Sequence, residues 1–129
     1  MPFTYTVDPN LRLVLTEETG IISDEESQQL SAMQRQDPRI HPTMRELLDL
    51  RQVDRLSITP SWLRTRAETD RKYAHEYANT LAIVVGAEVA FGFARMYELL
   101  TDDHFQVRVF RDYAEACEWL GISGRLSSL

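Results

Sequence analysis

Cysteine is almost missing from this chain: Cys117 stands alone among 129 residues, so no internal disulfide can form and the small cystine-stapled secreted folds are excluded. Histidine is nearly as scarce. His41, His75 and His104 are scattered, and no two share the close spacing of a local metal site. Long apolar runs are absent: Leu81 to Val85 and Leu13 to Leu15 fall far short of the ~20 residues of a membrane span. Met1 to Thr6 has neither the basic start nor the apolar centre of a signal peptide. A cytoplasmic protein is the expectation. Positive charge is also in deficit, with 14 Lys+Arg against 20 Asp+Glu and a formal net charge of −6. That argues against a nucleic-acid binder, because affinity for phosphate backbones comes mostly from Lys and Arg. Finally, the chain has no Gly-x-Ser-x-Gly elbow, no His-Glu-x-x-His, no Gly-x-Gly-x-x-Gly and no phosphate-cradling Gly loop. With no paired acid, base or nucleophile in view, the expectation is a non-enzyme with no cofactor and no metal.

What is present is the composition of an ordinary globular domain, 43% hydrophobic with five Gly and five Pro. A chain of this size buries roughly two-thirds of its unfolded surface, enough for one core. We expect a single domain over residues 1–121 and a tail over 122–129. The charge is uneven, however. Residues 51–72 hold six basic groups (Arg51, Arg55, Arg64, Arg66, Arg71, Lys72) against three acidic ones (Asp54, Glu68, Asp70). Such a segment suits an anionic partner or simply a solvated helix face.

Patterning gives the elements. Phe3 to Val7 alternates as a strand, Asp8-Pro9-Asn10 is turn chemistry, and Leu11 to Thr16 forms a second strand with Leu11, Leu13 and Leu15 on one face, which the polar Glu17 to Gly20 leads out of. Ser23-Asp24-Glu25-Glu26 has capping-box spacing and opens a helix that Pro38 stops. Met44 to Leu50 is a third strand ending near Asp49, followed by a loop, Leu50 to Ile58, that leads to Thr59-Pro60 as N-cap and first residue of a second helix reaching about Ala78. Leu81 to Val85 is a central strand. Glu88 to Leu100 is a third helix with more than one apolar face, where Val89, Phe93, Met96 and Leu100 are expected on the sheet. Phe105 to Phe110 is the last strand, and Asp112 caps a short helix containing Cys117, expected as a buried thiol. The order β β α β α β α β α defines an α/β fold with a mixed five-stranded sheet and four helices, the opening hairpin antiparallel and the later strands parallel. Asp102-Asp103-His104 reads as a turn. Ser57 and Thr59 lie where the second helix begins, a place suited to an N-cap or to a phosphoacceptor.

Leu47-Leu48-Asp49-Leu50-Arg51, Ala82 to Val85, Phe91 to Tyr97 with its Ala94-Arg95-Met96, and Val109-Phe110-Arg111-Asp112 with Ala116, Trp119 and Leu120 together resemble the SpoIIAA-like branch of STAS domains, small α/β modules named with the STAS and CRAL-TRIO groups. The resemblance spans about Tyr5 to Leu120. It implies a regulatory module with one of two roles. SpoIIAA-like members are associated with hydrophobic ligands and with membrane contact through mobile helices. Anti-anti-sigma members carry a phosphorylatable Ser or Thr in an Asp-Ser-x-Gly type segment, and here Asp49 is followed by Leu50 and Arg51, leaving Ser57 or Thr59 as the candidates.

The first expectation is thus a module that binds a lipid-like or amphipathic ligand between the second and third helices, through Trp62, Arg66, Tyr73, Tyr77, Phe91 and Arg95, with peripheral membrane contact. Arg64, Arg66, Arg71 and Lys72 would meet the ligand's anionic end. The alternative is an interaction switch phosphorylated at Ser57 or Thr59. Phe91, Tyr97 and Leu99, left off the sheet-facing stripe, call for cover, so a homodimer is expected with Phe91 and Leu99 at its interface or at the pocket mouth.

Overall fold

The computed structural model describes residues 2–74, 78, 80–101 and 106–122. It shows the expected α/β architecture: β1 (Phe3–Asp8), β2 (Leu13–Ser23), α1 (Asp24–Arg35), β3 (Arg45–Ser57), α2 (Pro60–Lys72), β4 (Thr80–Val85), α3 (Glu88–Thr101), β5 (Gln106–Phe110) and α4 (Tyr113–Leu120). The strands lie side by side in chain order. β1 runs antiparallel to β2, and β2 through β5 are mutually parallel. Right-handed crossovers between adjacent parallel strands carry α1, α2 and α3 to one face, and α4 packs on the other.

Each face has its own apolar cluster. On the α4 side, Leu13, Leu47, Ala82 and Val84 meet Ala116, Cys117, Leu120 and Ile122. Cys117 is buried there, and burial pushes its thiol up, away from nucleophilic use. Ile122, assigned to the tail from the sequence, is fully buried, so the packed chain extends at least that far. On the other side, Ile22, Leu50, Val53, Ile83 and Val85 meet Ala90 and Ala94 of α3.

Two strands are longer than the patterning indicates. Glu17 to Gly20 does not leave the sheet, and residues 50–57 are not a loop; β2 and β3 continue as a parallel pair to Ser23 and Ser57. Asp49 therefore lies inside β3. Two register shifts, at Glu17/Thr19 and Gly20/Ile21, insert one extra β3 residue each, and Gly20 accommodates the second with φ +74°. Each bulge flips the parity of β3, so that Leu50, Val53 and Leu56 all pack on the same side. α2 is correspondingly shorter than expected and ends at Lys72.

The helix starts follow the expected chemistry. Ser23 Oγ accepts from Glu26 N at 3.3 Å while the Glu26 carboxylate accepts from Ser23 N at 2.7 Å. Thr59 and Asp112 cap α2 and α4 by accepting from Trp62 N and Glu115 N. Ser23→Ala is expected to destabilise the protein by about 1 kcal/mol in urea unfolding, the usual worth of such a cap; an unchanged midpoint would show that the Asp24–Thr59 contact described below holds α1 without it.

α3 is rotated relative to its expected stripe. Ala90, Ala94 and Thr101 are its buried positions, with Phe93 and Tyr97 beside them, whereas Val89, Met96 and Leu99 are exposed. The small alanines let the helix lie close to β4. Phe91 is not turned outward: it packs on the core cluster, with the Arg111 guanidinium 4.2 Å from its ring centre.

Candidate functional site

Beneath α2 lies a cavity of about 90 Å³, roofed by α1, α2 and α3 and floored by the central strands. Its walls are mostly apolar: Leu30, Leu63, Phe93 and Ala94 from the helices, and Leu48, Leu50, Leu81 and Ile83 from the sheet. One end is polar, because three residue positions that alternation puts on the helix-facing side of the sheet, Thr16 and Glu18 on β2 and Glu46 on β3, are not apolar. All three are buried.

This polar end is built from matching donors. Glu46 Oε2 accepts from Thr16 Oγ1 at 2.7 Å and from Gln34 Nε2 of α1 at 3.4 Å, and Gln34 also donates to Thr16 at 2.8 Å. Arg66 of α2 donates to Ser27 Oγ at 2.7 Å and lies 3.5 Å from Asp70, which in turn accepts from Tyr97 OH at 2.5 Å. Glu18 lines the same cavity with no such partner among the described residues. Burial, the repulsion of Glu46 and Glu26, and the opposing attraction of Arg66 leave its pKa at about 7. Burial likewise pushes Glu46 up, against the hydrogen bonds from Thr16 and Gln34, and burial followed by the Asp70 charge pushes the Tyr97 phenol up.

α2 buries only Leu63 and Ala67, yet it is tied on three sides. Trp62 Nε1 and Arg66 both reach Ser27, Thr59 N and Oγ1 donate to the Asp24 carboxylate at 2.9 Å each, and Arg71 donates to the Leu100 carbonyl. The sparse apolar pattern of α2 indicates a weakly anchored helix; its anchorage is polar instead.

Of the six residues expected to bind a ligand, the structure brings Arg66 and Tyr73 to the cavity. Trp62 clips α2 to α1, Phe91 packs under Arg111, and Arg95 pairs with Glu98 at 2.6 Å on the surface; none of these three lines it. Tyr77 lies outside the described residues, as do His75, Asp102, Asp103, His104 and Phe105. The four cations expected to meet an anionic group do not converge either. Arg66 and Arg71 are engaged as above, Arg64 is exposed, and Lys72 sits over the Tyr73 ring at 5.6 Å. The cavity carboxylates Glu18 and Glu46 are absent from the sequence-based set, although both share strand parity with buried neighbours. Among the described residues, no three His, Cys, Asp or Glu side chains are grouped to hold a metal ion, and no helix is long and apolar enough to cross a membrane.

The candidate phosphoacceptors differ in setting. Thr59 Oγ1 faces the Asp24 carboxylate, which would repel a phosphate, whereas Ser57 Oγ accepts from Arg55 Nε at 3.1 Å.

No protein-family model matches the chain, and no curated protein matches it. Among solved structures, an uncharacterised protein of the DUF3478 family from Shewanella loihica PV-4, described as having a SpoIIAA-like fold, superposes with a TM-score of 0.62 at 16% identity over 92% of this chain and 93% of that one. The chain is thus an α/β protein with a SpoIIAA-like fold.

Proposed function

We propose that this chain is a non-enzymatic binding module that takes a small amphipathic molecule into the cavity beneath α2. The observation that carries the reading is the lining: apolar walls leading to a buried cluster of fixed polar groups, the usual make-up of a small-molecule site. At about 90 Å³ the cavity admits a small ligand as it stands. A lipid-like ligand requires α2 to move away from α1 and α3. Native mass spectrometry of protein isolated from cells is expected to show a retained adduct, and Leu63→Phe, which extends into the cavity from α2, is expected to weaken it at least tenfold. Bare mass in both proteins would count against the reading. Peripheral membrane contact is a separable expectation, tested by sedimentation with anionic vesicles; recovery of all the protein in the supernatant at low salt removes it.

A second reading, an interaction switch phosphorylated next to α2, is favoured at Ser57 by the neighbouring Arg55 and by the start of α2 three residues on. A phosphopeptide covering Ser57 in protein isolated from cells supports it, and an unmodified peptide at full coverage opposes it.

A further inference from the structure

The polar end of the cavity specifies the charge of what it binds. Glu18 is only 5% exposed, lines the cavity, and has no hydrogen-bond or ion-pair partner among the described residues. An isolated buried carboxylate is strongly disfavoured, and in a protein such a group is ordinarily paired. The two guanidiniums in the lining are turned to other acceptors: Arg66 to Ser27 and Asp70, Arg35 to Ser31. When Glu18 ionises, it places in the described lining a negative charge to which neither guanidinium is hydrogen-bonded, beside the open space.

We propose that this cavity binds a small primary alkylammonium ion, its ammonium group against the Glu18 carboxylate and its carbon chain along Leu48, Leu50 and Ile83. The proposal rests on the ligand-binding reading above and assigns the ligand's class. It reverses the expectation of an anionic end, because Arg66 and Arg71 are engaged elsewhere, Lys72 lies over the Tyr73 ring and Arg64 is exposed. Size follows from volume: an apolar cavity of about 150 Å³ takes the six heavy atoms of benzene, so the present one takes about four.

The charged groups facing Glu18 are Arg66 from α2, Glu46 from β3 and Glu26 from α1, with Asp70 farther along the lining. An alkylammonium ion keeps its charge throughout the neutral range, so the pH dependence of binding is that of Glu18. Only the ionised carboxylate attracts the ligand. Binding therefore strengthens about tenfold from pH 6 to pH 8, as a group titrating at about 7 requires.

The test is an amide-shift NMR titration of the full chain with n-propylammonium chloride, 1-propanol and sodium propionate at both pH values. The expected result is saturable binding of n-propylammonium at least tenfold tighter than of 1-propanol at pH 8, with no binding of propionate. Glu18→Gln should abolish that preference while still binding 1-propanol, which shows that the fold and cavity survive. Propionate binding as tightly as n-propylammonium, or an ammonium preference that persists in Glu18→Gln, overturns the proposal and leaves the cavity a ligand site. Failure of all three probes to bind overturns the ligand-binding reading itself.

Discussion

Replacing Glu18 by Gln raises the stability of the protein at pH 8 relative to its stability near pH 4 by about 3 kcal/mol more than the wild-type chain gains over the same interval. Below its ordinary value of 4.5, Glu18 is protonated in both the folded and the unfolded chain and contributes nothing to the pH dependence. Between 4.5 and about 7 the unfolded chain releases the proton while the folded one retains it. Fewer protons on the unfolded state mean that stability falls as pH rises through this window. At about 1.4 kcal/mol per pH unit, the interval comes to about 3 kcal/mol, lost in the wild type and kept in Glu18→Gln. Urea unfolding of both proteins across the range measures it. Parallel profiles would mean that Glu18 ionises in the fold as readily as in water.

The second large effect separates the two faces of β3. Leu47, 1% exposed, belongs to the α4-side cluster, while Leu50, 6% exposed, borders the cavity. Truncating Leu47 to Ala removes a side chain packed among neighbours and is expected to cost about 4 kcal/mol, near the upper part of the usual range for such changes. Leu50→Ala is expected to cost about 2 kcal/mol, because part of its surface already faces empty space and has fewer contacts to forfeit. The same change should enlarge the cavity and admit alkylammonium ions about three carbons longer than the wild type accepts, the number of atoms a Leu→Ala change removes. Equal losses at the two positions, measured from denaturation midpoints, would show that Leu50 is packed as fully as Leu47.

Much of the fold is written in local signals. Ser23 with Glu26, Thr59 with Pro60, and Asp112 mark the helix starts, and the alternation or apolar runs at Phe3, Leu81 and Val107 mark strands. What escapes is where tertiary pairing breaks the period. Leu50, Val53 and Leu56 fall three apart, a spacing that matches no strand pattern, because two bulges return each of them to the same face. On α3, apolar residues surround the helix, so size cannot decide which stripe is inward; the alanines at 90 and 94 decide it, by allowing close approach to β4. The site was legible only in part. Arg66 and Tyr73 line the cavity, but aromatic and basic residues dominated the sequence-based choice, whereas the buried polar end holds carboxylates. Glu18 lies in a polar stretch that reads as leading out of the second strand, and Glu46 lies one step from Leu47 on the opposite face of the strand. Their burial depends on α1 and α2 covering that face, and no local pattern carries that information.

The sheet keeps its two apolar clusters apart, and this has a consequence for amide exchange. α4 and the inner halves of β3 and β4 are sealed by Leu47, Val84, Ala116 and Leu120, whereas α2 rests on two buried side chains and a set of polar ties over a space. Opening of α2 unpacks only two buried side chains of its own, Leu63 and Ala67, and leaves the α4 side intact. Its amides should therefore exchange through a partial opening well below the free energy of global unfolding, while those of β4 exchange only when the whole chain unfolds. Because Thr59 is bound to Asp24 at the head of α1, the opening is anchored at that end, and protection should decline along α2 toward Lys72.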